Sequence, residues 1–415
     1  MSKDDQNSSR AARNLSILIA VYFLVEALCQ PDGLIYQSLA SYLGEVLGWP
    51  SDWVTDFYSL MAVPLLARPL YGVLCDCVPL FGYRRKTWLA AFMLLNTIGF
   101  GSLAIVSSPI LVCTALYVAS VGVAAGSTLA SAVIVESGNK HKNTGSLINQ
   151  QWFWYNAGAL AFAQAGGILA AHLSAKMGFH VAAVLVAGAP LFVMWASMRL
   201  YDEPRIEGGV NFKLLKQHAR EVKDVLKTTS VWSAAAFIAV YNLSPLMSFN
   251  AVQLVDHLRE MQYSETFIGL LLALGAVGAI VASFVYKHLE KRMTIKQLLL
   301  AGVYLTIISR ISYVFIGSEV VNICIWFFNG MFSMLILIPC LRLAAARCPP
   351  GLEAFAYGLM TCSLTGSRIL ASTGGGWLFE HVFNHNLTLL CLLSAALAMV
   401  ALPFAKRLKE DEPMS

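Results

Sequence analysis

Three charged residues lie deep inside stretches of this chain that are otherwise apolar: Glu26, Asp32 and Arg368. Charge is costly in a hydrocarbon setting, and the residues that bear it there relay protons, bind substrates or pair with one another. From Leu15 to Glu26 a helix climbs about 16 Å, roughly half the thickness of a hydrocarbon core. Asp32 stands further along beside Gln30, Pro31 and Gly33, where proline removes a backbone donor and the helix is expected to bend or open. A carboxyl in such surroundings can take up a proton on one side of a membrane and release it on the other, so Glu26 and Asp32 are the candidates for proton coupling. Arg368 keeps its charge under all ordinary conditions and suits a fixed counter-charge for an anionic substrate. The competing reading is a structural ion pair between Glu26 and Arg368.

A second group of polar residues suits a flat, heteroaromatic ligand. The run Asn149-Gln150-Gln151-Trp152-Phe153-Trp154-Tyr155-Asn156 interleaves amides with aromatic faces, which supply edge hydrogen bonds and stacking. Gln150, Gln151, Trp154 and Tyr155 are its candidate substrate-binding residues, against the alternative of an interfacial aromatic belt. A polar break at Tyr241-Asn242-Leu243-Ser244-Pro245, followed by Asn250, adds Asn242 and Asn250. Arg310 is expected to make a structural contact or to snorkel toward the interface, and Arg68 to sit near the end of its span.

These residues need long apolar elements to hold them, and the composition supplies them. The chain is 57% hydrophobic and 13% charged, with mean hydropathy +0.64, far below the roughly 25% charged residues of soluble domains. Apolar runs predict membrane helices at 15–45, 52–77, 87–107, 110–136, 144–172, 179–199, 230–256, 264–287, 296–316, 319–343, 352–380 and 386–405. Continuous apolar runs favour helices over a barrel. Of the 29 Lys and Arg, Arg68, Arg310 and Arg368 fall within spans and only Lys176 and Arg259 on one side. All others flank the opposite side, which puts both termini in the cytoplasm. The predicted organisation is a cytoplasmic tail at 1–14, a six-helix half at 15–199, a cytoplasmic linker at 200–229 with a short surface helix, a second six-helix half at 230–405 and a tail at 406–415. The net charge of +5 belongs to these loops and implies no nucleic-acid partner. Cys75-x-Cys77 lacks the spacing of a zinc or redox pair, and the histidines do not cluster, so no metal site, disulfide or cofactor is expected. No nucleophile–base spacing or phosphate loop points to an enzyme.

The link between the second and third spans, Arg68-Pro69-Leu70-Tyr71-Gly72-Val73-Leu74-Cys75-Asp76-Cys77-Val78-Pro79-Leu80-Phe81-Gly82-Tyr83-Arg84-Arg85-Lys86, packs one acid, two glycines and three adjacent cations into a short segment. It resembles the signature loop of the major facilitator superfamily, and more specifically that of the folate–biopterin transporter branch. The resemblance implies an all-α polytopic membrane protein with twelve transmembrane helices in two six-helix halves, the major facilitator fold, and a faint echo of the loop recurs at 286–292 with Lys287 in place of the acid. It also implies a latch that closes the cytoplasmic side: Asp76 at a neighbouring helix terminus, paired with Arg85 across the Gly82 turn, with Glu136 meeting Arg84 or Arg85. A merely topogenic basic loop is the plainer reading. The function implied is proton-coupled uptake of a small organic anion of pteridine or folate type by a monomer in the cell (inner) membrane. The alternatives are proton-antiport export of a drug, metabolite or siderophore, and import of a muropeptide or siderophore.

Overall fold

Residues 3–30, 33–49, 51–205, 212–246 and 252–407 are described in a computed structural model. Their helices, in chain order, are α1 (Lys3–Cys29), α2 (Tyr36–Ser41), α3 (Ser51–Leu66), α4 (Arg68–Cys77), α5 (Lys86–Ser102), α6 (Pro109–His141), α7 (Thr144–His172), α8 (Ala175–Leu200), α9 (Phe212–Lys227), α10 (Thr229–Asn242), α11 (Val252–Glu260), α12 (Glu265–Leu289), α13 (Ile295–Ser312), α14 (Glu319–Ala346), α15 (Glu353–His381) and α16 (Leu387–Arg407). The one β-bridge among the described residues joins Leu80 to Tyr83.

Seven of these helices are long and apolar enough to cross a membrane, and the bent pair Leu60–Leu66 and Arg68–Cys77, taken together, meets the same length and apolarity. Of the expected spans, the third is the short α5 of 17 residues, and the first, second and seventh are broken along their length. The first is not continuous: α1 ends at Cys29, just before Gln30-Pro31, where the residue ahead of a proline is steered away from helix. The chain resumes as α2 and a π-helical turn at Tyr42–Val46. The second bends by 43° between α3 and α4, with Pro64 inside α3 and Pro69 opening α4; a proline at a helix start loses no hydrogen bond that the helix would have made. The seventh divides into α10 and α11 on either side of Leu243-Ser244-Pro245.

Two compact units emerge from the packing. The first comprises residues 1–136, 157–227 and 349–358; the second comprises 137–156, 228–348 and 359–415. In the first, α8 packs along α5 and α1 over a core that includes Leu39, Leu43, Phe100, Leu103, Phe179 and Val186; Tyr42 stacks on Phe179 with ring centroids 4.2 Å apart. In the second, α14 packs along α12 and α13, and α16 along α13 and α10, around Leu254, Leu271, Trp326 and Leu390. Large apolar side chains such as Leu70, Ile105, Phe192, Phe284 and Leu370 remain exposed, as suits helices solvated by lipid tails.

Candidate functional site

The densest charge cluster of the first unit forms where α4 ends. Phe81 and Gly82 both have positive φ, 52° and 84°, and Leu80 and Tyr83 exchange backbone hydrogen bonds of 2.9 and 3.0 Å across them. Left-handed conformation at both central residues makes a tight reversal that glycine accommodates without strain. The reversal brings Arg84 and Arg85 back to Asp76: Arg85 Nη1 lies 2.6 Å and Arg84 Nη2 3.5 Å from Asp76 Oδ1. Arg85 Nε also meets Glu136 Oε2 of α6 at 3.3 Å. Arg85 and Asp76 are both fully buried. Burial works against the charge on Arg85, yet Asp76, Glu136 and Glu353 together outweigh it and push the guanidinium above its usual range.

Two further acids complete the cluster. Glu353 Oε2, in the first turn of α15, lies 3.4 Å from Arg85 Nη2, and its Oε1 accepts from Gly351 N at 2.9 Å. Glu203 accepts from the backbone amides of Arg84, Arg85 and Lys86 at 2.9–3.1 Å, satisfying donors that open the start of α5. Asp76 Oδ2 accepts from Phe355 N at 2.8 Å, so a buried carboxylate caps the positive end of the α15 dipole. Gly72 makes the approach of α4 to α15 feasible, because a Cβ there would meet the carbonyl of Ala354 at 2.6 Å. Arg84 adds a hydrogen bond from Nη2 to the Gly351 carbonyl. Asp76, Gly82, Arg84, Arg85 and Glu136 are thus brought together. Glu353 and Glu203 escaped the sequence reading because a first-turn acid and an acid after a helix end are commonplace.

A smaller cluster of reversed polarity occupies the second unit. Arg342 of α14 lies 3.3 Å from Glu290, which caps the end of α12. The acid is therefore Glu290, three residues beyond Lys287 in the echo loop. Burial raises the Glu290 carboxyl above the usual range, and Arg342 opposes that rise. The start of α7 docks beside the pair: a Cβ on Gly145 would collide with Glu290 Oε1, and would lie 3.2 Å from Arg342 Cδ. Asn139 donates to the Ala345 carbonyl at 3.1 Å and Asn149 to the Ser283 carbonyl at 2.9 Å.

Glu26 belongs to the first unit and Arg368 to the second. Glu26, on α1, is buried; its Oε1 accepts from Gln30 Nε2 at 3.3 Å, with Ser127 and Arg68 as further polar neighbours. Arg368 Nε, on α15, donates to Asn242 Oδ1 at 3.2 Å, and Asn242 in turn donates to the Ile238 carbonyl at 2.8 Å. Asp32 and Asn250 lie outside the described residues. In the second unit's part of α7, Trp152 and Tyr155 meet edge to face at 5.2 Å, as do Phe153 and Trp154. Phe153 also packs on Phe284 of α12. Gln151 is buried and Gln150 half-buried. Arg310 does not snorkel: it is buried, with Nη1 3.1 Å from Ser309 Oγ and Tyr313 beside it. Among the described residues the nine cysteines are free thiols and no group of His, Cys, Asp and Glu could hold a metal ion.

Comparison with known proteins agrees with this architecture. The chain is similar to a folate-biopterin transporter of Synechocystis, with 24% identity over 96% of this chain and 82% of that relative. It is also similar to probable folate-biopterin transporter 6 of Arabidopsis thaliana, with 21% identity over 94% of this chain and 82% of the relative. Among solved structures it superposes on the proton:xylose symporter XylE with a TM-score of 0.73 at 15% identity, covering 98% of both chains. It also superposes on FucP in its outward conformation, with a TM-score of 0.73 at 13% identity, over 94% of this chain and 97% of that one. These likenesses carry the major facilitator fold. The model of the BT1 family matches residues 31–415, and the chain, an integral multi-pass membrane transporter and not an enzyme, belongs to that family.

Proposed function

We propose that this transporter takes up a small organic anion of the pteridine or folate class by proton symport. The observation that carries the substrate class is the similarity along nearly the whole chain to folate-biopterin transporters. Arg368, oriented by Asn242, serves as the counter-charge for the anion, and Gln150, Gln151, Trp154 and Tyr155 contribute edge hydrogen bonds and ring faces. Asn250 and Asp32 retain their proposed roles in substrate binding and proton coupling. Glu26 is the principal proton carrier: it is an enclosed carboxyl with a neutral amide donor in Gln30, so either protonation state keeps a hydrogen-bond partner.

In this reading both termini are cytoplasmic, the protein works as a monomer in the cell membrane, and the Asp76–Arg84–Arg85–Glu136 cluster latches the cytoplasmic side shut. Glu353 extends the latch, and the Glu290–Arg342 pair is a separate latch element of the second unit. Paired charges at a buried site are strongly coupled, and removing one partner leaves another uncompensated. That gives the latch two discrete states, made and broken. The test is a thermal-shift screen of the purified protein against pteridines, folates, siderophores, muropeptides, sugars and common drugs, since a ligand that binds only the folded state raises its melting temperature with occupancy. Stabilisation by pteridines or folates is the expected result; stabilisation confined to siderophores, muropeptides or cationic drugs would overturn the assignment.

A further inference from the structure

Helix α9 carries two parallel stripes. Lys213, Lys216, Arg220, Lys223 and Lys227 recur at alternating spacings of three and four residues, and so do Phe212, Leu215, Ala219, Val222 and Leu226. The two series are offset by one residue, which places them side by side, about 100° apart around the helix. The acids Glu221 and Asp224 fall beyond the far edge of the basic stripe. In the structure α9 rests against α4, with Val225 buried, Val222 and Glu221 half-buried, and Glu221 close enough to Cys77 to influence its thiol. Arg220, Lys223 and Lys227 stay exposed, as does Leu226 at 41%. Lys227 lies 3.9 Å from Asp224, a long pair in the open, where such pairs hold little.

A basic stripe beside an apolar stripe that ends in the exposed Leu226 is the arrangement by which a helix lies in a membrane interface, its cations at the level of the phosphates and its apolar edge at the acyl boundary. The protein is a membrane protein, so such a surface is always at hand. We propose that α9 is a lipid-binding helix whose basic stripe engages the phosphates of anionic phospholipids and so ties the segment joining α8 to α10 to the bilayer surface. Charge complementarity selects the occupant: five cations against two acids along the helix attract anionic headgroups and gain nothing from zwitterionic ones.

The full chain in nanodiscs of phosphatidylcholine alone, or of phosphatidylcholine with phosphatidylglycerol, tests this by amide hydrogen exchange across residues 212–227. Exchange there should slow roughly tenfold in the anionic discs. The combined variant K213Q/K216Q/R220Q/K223Q/K227Q should lose that protection, while K140Q/K142Q, which removes exposed lysines elsewhere, should keep it. Unchanged exchange elsewhere in the chain reports that the variant is folded. A salt titration of the wild type gives an independent reading, because attraction to headgroups fades as salt shortens the Debye length. Equal exchange in the two discs, protection that survives the five substitutions, or protection that persists in high salt would each overturn the proposal.

Discussion

Glu26 and Arg368 carry opposite charges and are proposed to do different work, so their substitutions should separate. Glu26→Gln preserves the shape and the contact with Gln30 while removing the titratable proton. It should abolish accumulation driven by a pH gradient and leave substrate exchange at equilibrium largely intact, as counterflow measurements would show. Arg368→Gln removes a charged donor, and hydrogen bonds to charged groups contribute about 1.5–3 kcal/mol, so affinity for an anionic ligand should fall about ten- to a hundredfold. Neutral analogues should lose least. If both variants lose thermal stability without a selective transport defect, the two residues are structural. The candidacy of these residues was legible because a charge within an apolar run stands out in any sequence. Their neighbours were not: Asn242 meets Arg368 across 126 residues of chain, and Ser127 reaches Glu26 from α6, contacts that only the packed helices create.

Around α4 and α15 the interest shifts from single charges to helix ends. Asp76→Asn keeps an acceptor for the Phe355 amide but loses the charge that α15 and Arg85 sense; the charge–dipole contribution is on the order of 1 kcal/mol, and the buried Arg85, left with one partner fewer, adds to it. The variant should still fold, and its latch should open more often. Cys75 and Cys77 flank Asp76 and are buried, so their alkylation, followed peptide by peptide, should accelerate; unchanged labelling with normal transport would leave the loop a topogenic signal only. The second cluster makes a pH prediction. Glu290 titrates above its ordinary value in the folded protein, so between the two values the folded state holds a proton that the unfolded state has lost. The stability Glu290 contributes is present below the unfolded value and is lost as pH rises through the folded one. Melting curves across that window should slope downward with pH, and Glu290→Gln should flatten the slope. A slope unchanged by the substitution would assign the titration to another group. Of the two clusters, the first was legible from the short link that holds Asp76, Arg84 and Arg85. Its carboxylate on α15, Glu353, was hidden by a separation of 268 residues, and the second cluster by a charge reversal that moves the acid onto the loop and the cation onto α14.

At the scale of the whole chain, composition and span lengths made the all-helical membrane fold legible, and the link at 68–86 pointed to the family. Interruptions were harder to place, because a break depends on how neighbouring helices satisfy the freed backbone groups and not on the proline alone; Pro64, Pro190, Pro339 and Pro403 all sit inside continuous helices. The orientation expected from the asymmetry of Lys and Arg predicts that a reporter active only in the cytoplasm works when fused at Ser415 and fails when inserted near Pro50. Activity at both sites would refute the proposed topology. The central claim, proton-driven uptake of a pteridine-like anion, is tested most directly by purified protein in proteoliposomes carrying an imposed pH gradient, with labelled folate or biopterin supplied outside. The account predicts accumulation above equilibrium that collapses when a protonophore is added and is absent in the Glu26→Gln variant. Uptake that only equilibrates and ignores the gradient, or no uptake of any pteridine alongside gradient-driven movement of an unrelated compound, would contradict it.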